Sequence, residues 1–351
     1  MPEPLIVVIG ASAGGLQALT DLVANLSEDF NAAIFVAVHT RTDGNSLLPQ
    51  ILSRSSPAPV VFAEQGMRVT PGTIVIAPPD HHLLVLKHRI ELNRGPKENG
   101  FRPAVDPLFR SAARAHGAAV MGVILSGALD DGSYGMKTIK DCGGIAVVQH
   151  PEEASHPGMP LSAMRVVKAD HVLRAADIGR LISECQSTDE GGTPMARRQE
   201  TEPQDPADET TVQEMKNEFG PPSALTCPDC GGALWEIHNG ELTRFRCHVG
   251  HQYNTESLDA EQQEVVEAAL WSAVRVLEER ADLRRRMAKR ADERGMTVVS
   301  AGFDDSARES AAQASTIRAL LFSRESPDTV AASAGAEKPA APRARARRRA
   351  R

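Results

Sequence analysis

The chain has 351 residues, with 39 Lys or Arg against 46 Asp or Glu and a formal net charge of −7, a balance that leaves no overall electrostatic footprint for nucleic acid. Aromatic residues make up 4% and the apolar set is mostly Ala, Val, Leu and Ile, which favours helices packed on a parallel sheet over an all-β fold. No apolar run approaches the roughly 20 residues that span a bilayer, and the first strand begins too close to Met1 for a signal peptide, so the chain reads as cytoplasmic with no membrane insertion.

In chain order, Leu5 to Gly15 reads LIVVIGASAGG: a strand runs into a Gly-rich turn and then into the helical pattern Leu16, Leu19, Leu22, Val23. Further strands are expected at Ile34 to Val38, Val60 to Phe62, Thr73 to Ala77, Leu83 to Leu86, Val120 to Leu125 and Ile145 to Gln149, with helical patterns at Asp106 to His116 and Tyr134 to Cys142. The alternation predicts an α/β fold, a doubly wound and mainly parallel sheet over residues 1–186, with residues 60 to 92 as a small antiparallel excursion at one edge. Residues 187–222 lose periodicity and turn acidic, which reads as a disordered linker. A small Cys/His module follows over 223–255, then a helical region over 256–323. In its long helix, Ser257 to Arg294, an apolar stripe is expected at Val266, Leu270, Val274 and Leu277, with Asp282 and Arg286 as an i,i+4 pair. The Arg-rich tail, 324–351, reads as disordered.

The chemistry-bearing residues cluster at predicted strand ends. Ser12 sits at the tip of the first strand between small residues, where the turn exposes its hydroxyl and aims amides above a helix N-terminus. A serine nucleophile needs a base, and the base needs an orienting acid. His39 directly follows the strand Ile34 to Val38, and Asp131 lies just past Val120 to Leu125 in Leu125-Ser126-Gly127-Ala128-Leu129-Asp130-Asp131-Gly132. In an open parallel sheet these ends share one edge, where ligands bind. The backbone amides of Ala13 and Ala128 are candidates for an oxyanion hole. Gly10-x-Ser12-x-Gly14 has the physical form of a nucleophile elbow, yet the order Ser, His, Asp differs from the Ser, acid, His order of the α/β-hydrolases.

Several motifs in one order carry a resemblance: IGASAGG, the strand ending in His39, VTPGTIVIAPPDHHL, the run Arg102 to Phe109, VILSGALDDGSYGM and Gly158-Met159-Pro160. Residues 5 to 182 resemble the catalytic domain of the chemotaxis protein-glutamate methylesterases, the CheB family. The resemblance places that family's serine, histidine and aspartate on Ser12, His39 and Asp131. It implies hydrolysis of γ-glutamyl methyl esters on chemoreceptor helices, often with deamidation of receptor glutamines, no cofactor for catalysis, and a methyltransferase or another chemosensory protein as a further partner. Where the family usually reads T-G-M-G-x-D-G, this chain has Ala128 for the methionine and Leu129 for the second glycine. Asp130 adds a second carboxylate, which leaves open which aspartate orients His39. The family's N-terminal receiver domain has no counterpart, so control by phosphorylation in cis is not expected. Arg102 is read either as lining the cleft toward acidic receptor side chains or as a structural ion pair, and His81 and His82 as loop-packing or rim residues. The rival reading is a non-catalytic regulatory or scaffold protein of a chemosensory pathway.

Cys227-Pro228-Asp229-Cys230-Gly231-Gly232 reads as a zinc knuckle, completed by Cys247 and by His251, with His248 as the alternative fourth ligand. A unit this small has little core of its own, so a structural zinc is expected. The cysteines Cys142 and Cys185 stand apart from it and show no disulfide pattern.

Overall fold

Side chains alternate across the strand Leu5–Ala11 (β1), and that alternation builds both halves of the core. Ile6 and Val8 face one side, among Val105, Leu108, Phe109, Met136 and Met159; Val7 and Ile9 face the other, among Leu19, Leu22, Leu52, Ile178 and Ile182. All are fully or almost fully buried, as expected of a central strand covered by helices on both faces. These relations come from a computed structural model describing residues 4–39, 46–185, 221–239 and 242–323. The expected linker lies almost wholly, and the expected tail wholly, outside the described residues.

The elements after β1 are α1 (Gly15–Val23), β2 (Ala32–Val38), α2 (Leu48–Leu52), β3 (Val60–Phe62), β4 (Thr73–Ile76), β5 (His82–Val85), β6 (Ile90–Asn93), α3 (Val105–His116), β7 (Val120–Ile124), α4 (Ser133–Asp141), β8 (Ile145–Gln149), α5 (Gly158–Val166), β9 (His171–Leu173) and α6 (Ala175–Glu184). Seven strands form one sheet in the order β3-β4-β2-β1-β7-β8-β9, every neighbouring pair parallel. The chain leaves β1 toward β2 on one side and returns to pair β7 on the other, so strand order reverses at β1, the topological position at which open parallel sheets bind ligands. The edge excursion expected over 60 to 92 is smaller than anticipated. β3 and β4 extend the parallel sheet, and only β5 and β6 form a separate antiparallel pair.

The Cys/His module is a three-stranded antiparallel sheet, β10 (Leu234–Asn239), β11 (Leu242–Cys247) and β12 (Gln252–Asn254), followed by α7 (Thr255–Asp292) and α8 (Thr297–Ser323). The chain divides into two compact units, Met1–Gln262 and Gln263–Arg351. Within the second, α7 and α8 pack through a seam of small side chains, Ala281, Ala288, Ala291, Ala307 and Ala314, with Val274 and Leu321. Of the expected stripe Val274 is buried, whereas Val266 is exposed. Asp282 pairs with Arg285, one residue short of the expected Arg286.

Within the first unit the module docks on the sheet domain through polar groups. Glu98, buried, receives two hydrogen bonds from Arg110 at 2.9 and 2.8 Å and one from Arg244 of β11 at 3.2 Å. The Arg244 guanidinium also stacks over Tyr134, 4.1 Å from its ring centre. Burial works against the Glu98 charge, but the Arg110 and Arg244 guanidiniums prevail and hold its pKa at about 2, below the ordinary 4.5. The stability this contributes is present above pH 4.5 and is lost as pH falls through about 2. Replacing Glu98 by Gln removes the carboxylate charge that both guanidiniums hydrogen-bond. Urea denaturation should show a loss of about 3 kcal/mol at neutral pH, and the fall in stability between pH 4.5 and 2 should flatten.

Candidate active site

Three neighbouring strands deliver the predicted residues to one corner. Ser12 follows β1, His39 follows β2, and Asp131 lies in the loop between β7 and α4. Backbone bonds fix the corner: the His39 amide donates to the Ala11 carbonyl at 3.2 Å and the Ser12 amide to the Ser126 carbonyl at 2.9 Å. Gly14 turns the chain into α1 with φ 73°, in the left-handed region that costs glycine little. Gly127 allows a close approach, since a Cβ there would stand 3.0 Å from Ser12 Cβ and would collide with Met159. Leu129, in the glycine position of the family motif, takes the left-handed conformation with φ 63°.

His39 Nδ1 lies 3.0 Å from Ser12 Oγ, and His39 Nε2 lies 2.7 Å from Asp131 Oδ2. The His39 and Asp131 side chains are only 4% and 2% exposed. Asp131 Oδ2 also accepts from the Val105 amide at 2.7 Å, while Oδ1 accepts from the Asp106 amide at 3.1 Å and from Asn99 Nδ2 at 2.8 Å. Burial alone would raise this carboxyl; the His39 hydrogen bond and charge, the Val105 amide and Asn99 overcome it and hold the pKa below the ordinary carboxylate range. An ionised Asp131 only accepts, so Nε2 carries the imidazole proton and the Nδ1 lone pair faces the serine hydroxyl. The Phe101 ring lies flat on His39, centroids 3.7 Å apart and planes 8° apart, and covers one face of the imidazole.

The neighbouring aspartate has another partner. Asp130 accepts from the Glu256 and Ser257 amides at 3.0 and 3.2 Å and from the Ser257 hydroxyl at 2.5 Å, capping the N-terminus of α7. Burial pushes its carboxyl up to about 6. Asp131 is the aspartate that meets His39.

Ala13 and Ala128 are exposed on the two turns flanking Ser12, and among the described residues neither amide donates to a protein carbonyl. Arg102 is taken up internally: Nε and Nη2 reach Asp80 Oδ1 at 2.9 and 2.5 Å, and Nη1 reaches the Gly95 and Arg94 carbonyls at 2.6 and 3.1 Å. Of the two readings of Arg102, the structural ion pair is the one this geometry carries. His82 is buried, with Nε2 3.0 Å from the Pro96 carbonyl and Nδ1 accepting from the Ala104 amide at 3.3 Å. Sequence reasoning missed Asn99, Phe101 and Asp106. The turn signal Asn99-Gly100 was legible, and Asn99 does adopt φ 52°, but nothing local says which carboxylate its side chain meets.

In the module, Cys227, Cys230, Cys247 and His251 converge, their ligand atoms all within 4.8 Å of one another. Cys230 Sγ is 3.7 Å from Cys247 Sγ, and His251 Nδ1 is 3.5 Å from Cys247 Sγ and 3.7 Å from Cys227 Sγ. His248 stands apart from this cluster, beside Gly232.

The family model described as CheB methylesterase matches residues 7–182. The chain belongs to the CheB methylesterase family. A protein-glutamate methylesterase/protein-glutamine glutaminase of Geobacter metallireducens is 37% identical over 169 residues, covering 48% of this chain and 49% of that protein. A Leptospira interrogans protein with a name of the same kind is 36% identical over 178 residues, covering 50% of this chain and 91% of its own length. The crystal structure of the Thermotoga maritima CheB methylesterase catalytic domain matches with a TM-score of 0.51 and 35% identity, covering 52% of this chain and 99% of that one. The chain spans about half the length of several of its curated relatives. The family-model match ends at residue 182, before the Cys/His module.

The two aspartates should separate cleanly by mutation. Asp131→Asn should lower kcat on a simple activated ester by about 10³ to 10⁴-fold, since the imidazolium loses its counter-charge and the imidazole its tautomer. Asp130→Asn, which keeps a capping side chain, should change kcat by less than about threefold.

Proposed function

We propose that this chain is a protein-glutamate methylesterase acting on chemoreceptor helices in the cytoplasm, with Ser12 as nucleophile, His39 as general base and then acid, and Asp131 as the orienting carboxylate. The observation that carries this reading is the hydrogen-bonded series from Ser12 Oγ through both His39 ring nitrogens to an ionised, buried Asp131. Ser12 Oγ attacks the ester carbonyl as His39 Nδ1 takes its proton. The resulting imidazolium sits against Asp131, and the Ala13 and Ala128 amides receive the developing oxyanion. His39 then protonates the departing methoxide, releasing methanol and leaving a glutamyl ester on Ser12. Water, deprotonated by His39, attacks that ester, and the serine recovers its proton as the glutamate side chain is freed. An amide in place of the ester would release ammonia by the same steps, the glutamine deamidation named in the relatives. A methyltransferase or another chemosensory protein is the further partner this reading implies.

The module's four side chains suit one structural zinc. A tetrahedral ion with bonds of about 2.3 Å needs sulfurs roughly 3.8 Å apart, close to the 3.7 Å between Cys230 and Cys247. Four protein ligands close the coordination sphere, so the metal would support the fold and take no part in ester hydrolysis.

Methanol release from methylated receptor fragments tests the catalytic reading. Wild type should release it, and Ser12→Ala should lower the rate by at least about 10³-fold; a wild type with no release on any receptor fragment would favour the scaffold reading. For the metal, native mass spectrometry of the full chain should find one zinc. Cys227→Ser should bind less than one equivalent and lose the low-temperature part of its thermal unfolding protection.

A further inference from the structure

The Cys/His module reaches the catalytic corner through its last strand. β12 lies beside the turn 97–101: the Asn99 amide donates to the Gln252 carbonyl at 2.8 Å, and the Gln252 amide to the Lys97 carbonyl at 3.4 Å. Gln252 also pairs with Glu98 as a parallel bridge and donates from Nε2 to its carboxylate at 3.3 Å. This turn carries two groups that touch the proposed triad. Asn99 donates to Asp131, and Phe101 lies on His39.

Asn254 makes the connection specific. Its backbone amide donates to Asn99 Oδ1 at 2.7 Å, and its Nδ2 donates to Asp106 Oδ2 at 3.0 Å and to the Asp130 carbonyl at 3.1 Å. Asn99 Nδ2 in turn bridges two buried carboxylates, Asp131 Oδ1 at 2.8 Å and Asp106 Oδ2 at 3.0 Å. A carboxamide can meet such a pair only with its NH2 end. Turned over, Asn99 would set its oxygen against two carboxylates and its NH2 against an N–H. The Asn254 amide therefore selects the orientation in which Asn99 can serve Asp131.

We propose that Asn254 of the Cys/His module and Asn99 are positioning residues of the catalytic triad, Asn254 holding Asn99 so that Asn99 fixes the Asp131 carboxylate against His39. The module is then a working part of the active site, and its docking is coupled to the reactivity of Ser12. This rests on Ser12 being the nucleophile. Losing Asn99 would leave Asp131 one donor short and bring its charge into unrelieved contact with Asp106, so the carboxylate would shift or share a proton and the imidazole would lose its alignment. Losing the Asn254 side chain leaves its backbone N–H in place along the chain but removes the two bonds, to Asp106 and to the Asp130 carbonyl, that hold this N–H against Asn99 Oδ1.

Three full-length variants test this, Asn254→Ala, Asn99→Gly and the double, Asn99→Gly being chosen because glycine suits the left-handed backbone there. The first readout is the inactivation of Ser12 by a fluorophosphonate, resolved into the inactivation rate constant and the apparent affinity. The second is the low-field proton resonance of His39 Nε2–H, which reports the His39–Asp131 bond without any reaction. Expected are a fall of about tenfold to a hundredfold in the rate constant with unchanged apparent affinity, a displaced resonance in both single variants, and a double variant no slower than Asn99→Gly alone. Asn254→Ser, which retains a donor, should recover part of the rate. A lower melting temperature with wild-type rate constant and resonance would overturn the proposal and leave Asn254 a docking residue only. Wild type unreactive toward the fluorophosphonate would instead refute the nucleophile assignment, and the resonance would still decide whether Asn254 and Asn99 position Asp131. If Asn254→Ala does not fold, Asn99→Gly and Asn254→Ser decide by the same two readouts.

Discussion

A negative charge with almost no access to water has to be surrounded by donors, and Asp131 is that charge. Its two oxygens take the first amides of α3, Val105 and Asp106, together with Asn99 and His39. The α3 N-terminus is the natural place for it, because its free amides and dipole favour an anion. The loop after β7 must therefore end close above α3, and small residues there allow it: a Cβ on Gly132 would meet Ile124 and Val105 side chains at 2.6 and 2.8 Å. Once Asp131 is seated, the imidazole tautomer follows, and with it the nitrogen that faces Ser12 Oγ.

Two adjacent aspartates thus serve two helices. Asp131 sits at the start of α3 and Asp130 at the start of α7, and the peptide between them joins the corner of Ser12 and His39 to the Cys/His module. The same economy recurs at Glu98, which neutralises one arginine from α3 and one from β11. Each of these buried charges is costly unless its partners are complete, so the contact between module and sheet domain is specific as well as adhesive. Asp106, pushed up to about 6 by burial and by the nearby Asp131 charge, shows how little solvation remains there.

Much of the corner around Ser12 and His39 was legible in the chain because it rests on local chemistry. A strand ending in small residues exposes its last side chain, and Ser12 and His39 each follow an apolar run of strand character, so their place at one sheet edge follows from topology alone. The knuckle Cys227-Pro228-Asp229-Cys230 is equally local, since four residues with a glycine turn suffice to bring two thiolates together. Less legible were β6 and β9, which are short and only partly buried, and the seam between α7 and α8, where alanine packing looks like simple helix propensity.

By itself the sequence determined the α/β class, the residues at the strand ends and the grouping of three thiols with a nearby histidine, because periodicity and spacing act over a few residues. Only the tertiary structure decided between the two aspartates, placed Arg102 on Asp80, chose His251 over His248 as the side chain near the three thiols, and brought Asn254 against Asn99. Those choices depend on which donors a buried group meets across 22 to 155 positions of chain. That geometry is set by helices and strands packing together, and no local pattern encodes it.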